Sequence, residues 1–593
     1  MKIPNPNNPV FIQKNNGVRD RTANLAGSFN VDLSRYPGKI IPAARLRPVL
    51  RQEDNSNVSE SVSFAFHDSL YWTMGRKMFK TGGTGSILTT LTQDTITASP
   101  SPNAISDMVI FQDQLLVSRG QDIEKYGTST WNTNWYTSLT GASNLKFTVK
   151  GEPHPLGVVQ IGTPVLCIGD DNTMNTVVGT TATHPRLTLD VTQRIRWIVG
   201  GTSRAYIGCV NRADDVGESY VYEWDGGDTV PTRVFRIAAR GVLSGVMMGD
   251  TLYIVDSNGA VQRLDGGGFR QVAEFPIFKD EKQPASYASM SMMDSFVGHK
   301  AMCVHNGKIL INVKGGRHAD VSSFTEYSFS GVWEFDPETG SLTHKHSPTL
   351  NAAGTLDFGQ RVHGDSSRTG PGAIFETRDP RAESSIIVSG GYRLGSSTTS
   401  RAAIYVNDIS ENLPRRGKVI TQHIESPALT NQWKITLKYD LMKNTGDRLV
   451  LKYRVNQSGN LPFSATATWV SATQFTSTNT NFQHVTSGDE IEVIQGNGGG
   501  CTAHVTGISE ASGTYTVTLS ETIVGVTAAD TGIVRAHNWR FVESFNDQVF
   551  GYREFTILAP HSSTWLQALV ELRSAGGDSP VLEEIDVVPT KQQ

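Results

Sequence analysis

The chain has 593 residues, of which 38% are hydrophobic and 19% are charged, a composition typical of a folded protein with a sizeable core. Its 53 Lys and Arg residues against 57 Asp and Glu residues leave a net charge of −4, which excludes a strongly basic, nucleic-acid-attracting surface over the chain as a whole. The 57 glycines, with abundant Thr, Ser and Val, favour short strands joined by tight turns. We therefore expect an all-β protein.

The amino-terminal stretch FNVDLSRYPGKI, residues 29 to 40, reads as strand, tight turn and strand. Its apolar residues alternate with polar ones, and its Pro-Gly pair reverses the chain. We interpret residues 1–59 as an arm that ends in a closing hairpin. The hairpin at 29–41 is expected to pair with strands near 385–407 or with a neighbouring subunit.

Between residues 60 and 410 a pattern of apolar strands and Gly or Asp turns recurs. Its period of about 40–50 residues is in the range of propeller blades. One such unit cannot bury both of its faces, whereas units stacked around an axis can. We predict a β-propeller of about six or seven blades. The units are SVSFAFHDSLYWTMGRKMFK, DMVIFQDQLLVSRGQDIEKYG, GVVQIGTPVLCIGDD, RAYIGCVNRADDVGESYVYEWDGG, GDTLYIVDSNGAVQRLDGGGF, GKILINVKGG with GVWEFDPETGSL, and ESSIIVSGGY with AAIYVND.

A second β region follows the segment ENLPRRGKV, residues 411 to 419, which is typical of a linker. Long apolar strands before 465 and after 537 predict a β-sandwich or jelly-roll over residues 417–593. Short strands and Gly-rich turns at 465–537 predict a small β-barrel inserted into it. We expect this insert to fold as a separate unit, because insertions enter loops whose ends lie close together.

The cysteines and the amino-terminal stretch indicate the cellular compartment in which the protein folds. Cys167, Cys209, Cys303 and Cys501 are far apart and form no C-x-x-C pair, so neither a metal site nor a disulfide framework is expected. The stretch MKIPNPNNPVFIQKNN lacks the apolar centre of a secretory signal, and no run reaches the ~20 apolar residues of a membrane span. We expect folding in a cytoplasm and no membrane span.

The Gly-rich and acidic loops give weak functional signals. GGTGSI at 82–87 and GNGGGC at 496–501 do not lead into a helix, so both are expected to be hairpin turns rather than phosphate-binding loops. GDDNTMN at 169–175 lacks the spacing of a calcium loop. KYGTSTW at 125–131 lacks the Asp of the S-x-D-x-G-x-x-W turns that sialidase-like glycosidases carry.

His344 and His346 would share one strand face, as two metal ligands might, but no third ligand is evident. No G-x-S-x-G motif is present, and acidic residues cannot be paired in space from one sequence. We therefore assign no catalytic, cofactor-binding or metal-binding residue. The expected role is structural or binding rather than enzymatic.

The segment NVDLSRYPGKI resembles the amino-terminal hairpin of β-propeller tail proteins of tailed bacteriophages. The units LLVSRGQDIEKY and LYIVDSNGAVQRLDGGGF resemble their blades. LKYDLMKNTGDRLVLKYR, SGDEIEVIQGNGGGCTAHVTGI and SPVLEEIDVVP are similar to their jelly-roll segments. By size and layout the chain is most similar to the nozzle proteins, or tail tubular proteins B, of short-tailed phages.

This resemblance implies a homohexameric ring in the virion tail, assembled in the host bacterial cytoplasm. Its implied partners are adaptor and portal-side tail proteins, tail fibres or spikes, and double-stranded DNA that passes through the lumen without specific binding. The nozzle family has no catalytic residues to carry over. The barrel at 465–537 departs from the pattern, which leaves a fibre-docking or cell-surface role open.

Two readings remain at the level of sequence. The first is a structural tail component that forms part of the conduit for DNA ejection. The alternative is a receptor- or carbohydrate-binding, or glycan-cleaving, propeller of a phage tail. For the first, the ring lumen is expected not to be strongly basic, with Glu583, Glu584 and Asp586 as candidate wall residues or, alternatively, as an ordinary solvated edge.

Overall fold

A computed structural model of the chain describes the residues on which the following account rests. They are 25–29, 31–32, 39–52, 63–66, 70–74, 77–82, 92–96, 105–119, 122–127, 131–140, 154–160, 163–213, 217–275, 297–313, 331–346, 372–377, 385–393, 400–408, 415–421, 423–440, 442–455, 463–495, 501–523, 525–547 and 551–590.

Seven four-stranded antiparallel sheets follow one another along the chain, and we number them blades 1 to 7. The innermost strands of consecutive blades contact one another around the whole ring, including blade 7 with blade 1. The ring is therefore closed, and this part of the chain is a seven-bladed β-propeller. The all-β class and the propeller predicted from the repeated units are confirmed.

In blades 1 to 6 the strands run in chain order from the axis outwards. Blades 1 to 3 consist of Phe64–Phe66, Leu70–Met74, Lys77–Gly82 and Thr92–Ile96; Ile105–Phe111, Gln114–Arg119, Asp122–Tyr126 and Trp131–Asn132; and Leu156–Val159, Val165–Asp170, Thr173–Val178 and Thr181–Thr188. Blades 4 to 6 consist of Gln193–Gly200, Ala205–Asn211, Ser219–Trp224 and Arg233–Ile237; Val242–Met248, Thr251–Asp256, Ala260–Asp265 and Gly268–Glu274; and Met302–His305, Lys308–Val313, Gly331–Asp336 and Ser341–His346.

The sequence of each strand matches its place in the blade. Second strands such as Val165–Asp170 and Thr251–Asp256 are buried almost throughout, because adjacent blades cover both of their faces. Their near-continuous apolar sequences follow from that double coverage. The outermost strand Arg233–Ile237 instead alternates exposed and buried residues, as a half-covered strand does.

Blade 7 is completed by a strand from the other end of the propeller sequence. Its inner strands are Ile374–Thr377, Ser385–Arg393 and Ser400–Asp408, and its outermost strand is Arg45–Gln52. Arg45–Gln52 pairs antiparallel with Ser400–Asp408, in a register that places Leu46 opposite Asn407. The ring is thus closed by a strand that follows the predicted hairpin.

The described residues of the hairpin, 29, 31–32 and 39–41, do not pair with the strands near 385–407, so that alternative is wrong, and pairing with a neighbouring subunit stays a prediction. Leu25–Phe29 pairs antiparallel with Arg415–Thr421, and at Phe29 it also pairs parallel with blade 6 at His344. Val31–Asp32 pairs with Ile41–Pro42. The physical reason is burial of apolar surface, because Val31 and Ile40 are buried in the core of the carboxy-terminal region.

The barrel predicted near 465–537 is a closed six-stranded barrel. Its closure comes from the long strand Thr531–Phe545, which pairs on one side with Phe463–Ser471 and on the other with Asp489–Gln495. The remaining barrel strands are Gln474–Ser477, Thr502–Ala511 and Thr514–Leu519.

The remaining carboxy-terminal strands surround one apolar core that includes Trp433, Leu449 and Leu572. The predicted sandwich or jelly-roll is not confirmed, because the long strand Gly551–Ser574 pairs with strands on both sides of this region and joins them into one hydrogen-bonded sheet. The strands are Arg415–Thr421, Ile424–Tyr439, Arg448–Val455, Gly551–Ser574 and Leu582–Pro589.

Helices are nearly absent from the described residues. The α-helix Trp135–Thr140 packs between blades 2 and 3, and the 3₁₀-helix Thr480–His484 lies in the barrel. None of the helices described is long and apolar enough to span a membrane.

Candidate functional site

The two histidines considered as metal ligands lie on the outermost strand of blade 6 and are both buried. The ring of His344 packs edge-on against Trp333, and Nδ1 of His346 donates a hydrogen bond to the Ala44 carbonyl at 2.6 Å. Burial and the neighbouring Lys345 lower the pKa of His346 to about 3. His346 therefore joins blade 6 to the segment that precedes the closing strand.

The acidic stretch GDDNTMN forms the turn between the second and third strands of blade 3. The Asp171 carboxylate forms ion pairs with Arg212 and, at 3.9 Å, with Arg194, both from blade 4. Asp170 is buried, with Oδ1 3.9 Å from Nδ1 of His154. The turn thus joins adjacent blades. Across the described part of the chain, no group of three or more His, Cys, Asp or Glu could hold a metal ion.

The two Gly-rich loops lie almost wholly outside the described residues: only Gly82 and Cys501 of them are described. All four cysteines are buried thiols. Burial raises the pKa of Cys167 to about 12 and raises those of Cys209 and Cys303 further, so these three thiols resist ionisation.

The strongest polar arrangement outside the residues singled out from sequence lies at the propeller axis. The segment Val297–Lys300, which we name the axial segment, precedes the innermost strand of blade 6. Arg196 of blade 4 donates to the Val297 carbonyl at 3.1 Å, and Ser244 of blade 5 donates to the His299 carbonyl at 3.2 Å. Since blades 4 and 6 are not neighbours, the contact of Arg196 is made across the central space.

Blade 2 contributes a carboxylate to the same place. Oδ1 of Asp107 accepts from the Met108 N–H at 2.7 Å and lies 3.3 Å from Nζ of Lys300. Oδ2 accepts from the Leu156 N–H at 2.9 Å and lies 3.7 Å from Nε2 of His299. Asp107 is 0% exposed, so a buried carboxylate from blade 2 faces Lys300 and His299 of the axial segment.

This environment decides the protonation state of Asp107. Burial by itself would raise the pKa of its carboxyl, but Lys300, His299 and the Leu156 N–H outweigh burial and hold the pKa at about 2. The carboxylate is ionised at any physiological pH, and the described end of the propeller axis is occupied by the chain's own residues.

A second group of buried charges joins the barrel to the carboxy-terminal sheet. Lys452 is 3% exposed, pairs with Glu490 of the barrel, and lies 3.7 Å from Glu571. Arg573 lies 3.2 Å from Glu571 and 2.7 Å from Glu521. We name these five residues the barrel junction.

Within the barrel junction, Lys452 and Glu490 hold each other in the ionised state. Burial lowers the pKa of Lys452, but Glu490 and Glu571 outweigh burial and raise it. Burial raises the pKa of Glu490, but Lys452 and Lys418 outweigh burial and lower it. Pairs of this kind hold one arrangement in place, because removal of one partner leaves a buried charge without compensation.

The candidate lumen-wall carboxylates lie on the strand Leu582–Pro589. Glu583 forms ion pairs with Lys39 at 3.1 Å and Lys438 at 2.8 Å, so its charge is used within the chain. Glu584 and Asp586 are half-buried on the same strand. Whether any of them faces a lumen stays a prediction.

The outer side of the sheet formed by 432–439, 551–558 and 582–589 carries exposed apolar side chains. Tyr552, Leu558 and Val588 are 62%, 70% and 39% exposed. They lie among charged residues, since Lys434 pairs with Glu554 at 2.6 Å. This face is amphipathic and accessible.

Sequence reasoning missed both the axial segment and the barrel junction. A signal was present in each case: Asp107 is the one charged residue of ISDMVIF, and Lys452 lies at the centre of the apolar run in RLVLKYRV, between Arg448 and Arg454 near the strand ends. A buried strand carries such a charge only when a partner neutralises it. The partners lie far away along the chain, so their identity needed the tertiary structure.

Comparison with known proteins finds solved structures of similar fold but no related sequence. No family model matches the sequence, and no curated protein matches it. Solved propellers are similar in structure, among them the computationally designed Ika8 protein, at 10% identity, over 60% of this chain and 99% of that chain, with a TM-score of 0.34.

Two further similar structures are of a lyase from a bacterium and of a WD40 domain. A catalytically inactive virginiamycin B lyase from Staphylococcus aureus with quinupristin is 8% identical over 61% of this chain and 98% of that chain, with a TM-score of 0.38. The WD40 β-propeller domain of Doa1 is 12% identical over 61% of this chain and 97% of that chain, with a TM-score of 0.34. At such identities nothing of their activities transfers to this chain.

Proposed function

We propose that this protein is a non-enzymatic structural component of a phage tail, a nozzle-like ring subunit that forms part of the conduit for DNA ejection. The observation that carries the proposal is the continuous sheet from blade 6 through Leu25–Phe29 and the carboxy-terminal strands to the barrel. A propeller and a barrel joined through one hydrogen-bonded sheet suit a wall under mechanical load.

The occupied propeller axis supports the same proposal. Propellers offer a central channel for ligands, and here the axial segment and Asp107 lie across its described end. DNA would therefore pass through the middle of a ring of subunits and not through a propeller. The partners in this proposal are further copies of the chain, adaptor and portal-side proteins, and tail fibres or spikes in the virion.

The test is the mass of the purified protein, measured by native mass spectrometry, together with negative-stain images. We expect a closed ring of six copies. A monomer, alone and after addition of the adaptor ring, would overturn the proposal. DNA binding by the ring should be weak at low salt, whereas tight binding with a steep salt dependence would indicate a basic lumen.

A receptor- or carbohydrate-binding propeller is the second candidate, favoured by the amphipathic outer face. Exposed Tyr552 lies opposite Lys438 on the neighbouring strand. On its other side, the strand of Lys438 pairs with the strand that carries Glu584. Exposed aromatic rings beside carboxylates suit sugar rings and hydroxyls. Tyr552→Ala should abolish binding to host-surface glycans on an array, and a ring with no glycan binding would exclude this candidate.

A further inference from the structure

We propose that the propeller axis contains a binding site for a primary alkylammonium group, built around Asp107 and filled intramolecularly by Lys300. The proposal does not depend on ring formation or on a role in a tail. It rests only on the contacts at the axis among Asp107 of blade 2, Leu156 of blade 3 and Lys300, which precedes blade 6.

The anionic side of the site is preorganised by backbone groups. The Met108 and Leu156 N–H groups hold the Asp107 carboxylate at 2.7 and 2.9 Å. Both belong to innermost strands that are paired within their own blades. The carboxylate therefore keeps its position when Lys300 is shortened, and a vacated site keeps its shape.

A second, independent observation comes from His299. Its side chain is 8% exposed, and its Nε2 is buried with no hydrogen-bond partner among the described residues. This nitrogen lies 3.7 Å from Oδ2 of Asp107, too far for a direct hydrogen bond. The His299 ring therefore lies beside the carboxylate without a hydrogen bond to it.

The buried carboxylate selects the class of ligand. An –NH₃⁺ group carries three donors and no acceptor, so it can donate to the Asp107 carboxylate and neutralise its charge. The buried charge of Asp107 disfavours an anion, and a quaternary ammonium has no N–H to donate. Access is available from outside, because the Lys300 side chain is 32% exposed.

Chemical rescue tests the proposal with the full-length chain. Lys300→Ala removes the atoms beyond Cβ, which n-propylammonium replaces. We expect Lys300→Ala to melt at a lower temperature than the unchanged chain. Saturating n-propylammonium should then raise its melting temperature by about 2–4 °C, as a ligand that binds only the folded state does. The unchanged chain, whose site is filled, should gain little.

Three controls decide the interpretation. Tetramethylammonium and sodium chloride at equal ionic strength should not restore stability to Lys300→Ala. The double variant Asp107→Asn with Lys300→Ala should not respond to n-propylammonium. Absence of rescue in Lys300→Ala, or equal rescue in the double variant or by tetramethylammonium, would overturn the proposal.

The test holds even if Lys300→Ala does not melt cooperatively. The readout is then the yield of soluble protein after refolding from denaturant, with and without n-propylammonium. A higher yield that disappears in the double variant supports the site. Equal yields with and without the amine count against it.

Discussion

The propeller and the barrel are both closed rings of strands, but they close over very different chain distances. The propeller closes when Arg45–Gln52 pairs with Ser400–Asp408. The barrel closes when Thr531–Phe545 pairs with Phe463–Ser471 and Asp489–Gln495, all within residues 463–545. Loop-closure entropy grows with the loop, and non-local pairing slows folding. The propeller closure therefore spans residues 45–408, whereas the barrel closure spans only residues 463–545.

The segment that closes the propeller also enters the carboxy-terminal region. Ile40 exchanges backbone hydrogen bonds of 2.9 and 3.0 Å with Leu582, and it lies six residues before Leu46 of the closing strand. Closure of the propeller is therefore coupled to formation of the carboxy-terminal core. The barrel is attached to that core by one shared strand and by the barrel junction.

Opening the propeller ring should have the largest effect. Leu46 is 1% exposed and packs between blades 6 and 7 with Ile386 and Tyr405. Leu46→Asp places a carboxylate there without a partner, and we expect a loss of about 4 kcal/mol or more in the free energy of unfolding. Denaturant unfolding followed by near-ultraviolet circular dichroism measures it.

The matched control places the same residue on the barrel surface. Val470 is 47% exposed, so Val470→Asp should change stability by less than about 0.5 kcal/mol. Hydrogen exchange on Leu46→Asp sharpens the comparison: amides of the propeller should lose protection while those of the barrel keep it. Equal loss in both would mean that the barrel does not close independently.

Breaking the barrel junction should have the next largest effect. Lys452→Met leaves Glu490 buried without its paired lysine and Glu571 still paired with Arg573, at a cost of about 3 kcal/mol. The loss of hydrogen-exchange protection should concentrate in Asp489–Gln495 and leave the blades unchanged.

The control for the junction removes a carboxylate as well. Lys452→Met combined with Glu490→Met replaces a buried ion pair by apolar side chains and should recover most of the lost stability. If the double variant is no more stable than Lys452→Met, the ion pair is not what holds the barrel in place.

Acid should weaken the propeller closure by a moderate amount. The folded-state pKa of His346 is about 3, below its ordinary value of 6.5. Between these two pH values the histidine is protonated in the unfolded chain but neutral in the folded chain. Stability from this group is full above pH 6.5 and is lost as pH falls towards 3, with about 2 kcal/mol lost between pH 7 and pH 5.

His346→Asn keeps a donor for the Ala44 carbonyl but does not titrate. Its free energy of unfolding should fall less than that of the unchanged chain between pH 7 and pH 5, measured by urea denaturation at both values. Identical pH dependence in the two proteins would assign the acid sensitivity to other groups.

Removing the ion pairs that Lys39 of the hairpin forms at the surface should have the smallest effect on the free energy of unfolding. Lys39 forms ion pairs with Asp440 and Glu583, but about a third of its side chain is exposed to solvent. Lys39→Ala should therefore cost less than about 1 kcal/mol, and less still at high salt. A larger loss that persists in high salt would show that the hairpin contributes more through Lys39 than through Val31 and Ile40.

The fold was largely predictable because its signals are local. Runs such as LYIVD and ILINV are apolar throughout, as strands covered on both faces must be, and they recur at blade spacing. The barrel was predictable for the same reason. The partner of the closing strand was not, because the sequence of Arg45–Gln52 does not encode which edge it pairs with.

The candidate sites were predictable only as charges within apolar runs. Asp107 and Lys452 lie among apolar residues of their strands, but nothing in the chain near them identifies Lys300 or Glu490 as the partner. Conversely, His344 and His346 carry a metal-like spacing in sequence, and the structure uses the first for packing and the second for a backbone hydrogen bond. Spacing constrains which residues share a face, but not what that face meets.

The sequence by itself determined the all-β class, the repeated blades and the inserted barrel, because strand periodicity and turn chemistry act over a few residues. Only the tertiary structure decided which strand closes the ring, that the hairpin seats in the carboxy-terminal core, and which buried charges face one another across the axis and at the barrel junction. Those choices depend on contacts between residues hundreds of positions apart, such as Asp107 with Lys300 and Ile40 with Leu582. Such contacts stabilise the protein only after folding has brought their residues together, so no local stretch of sequence encodes them.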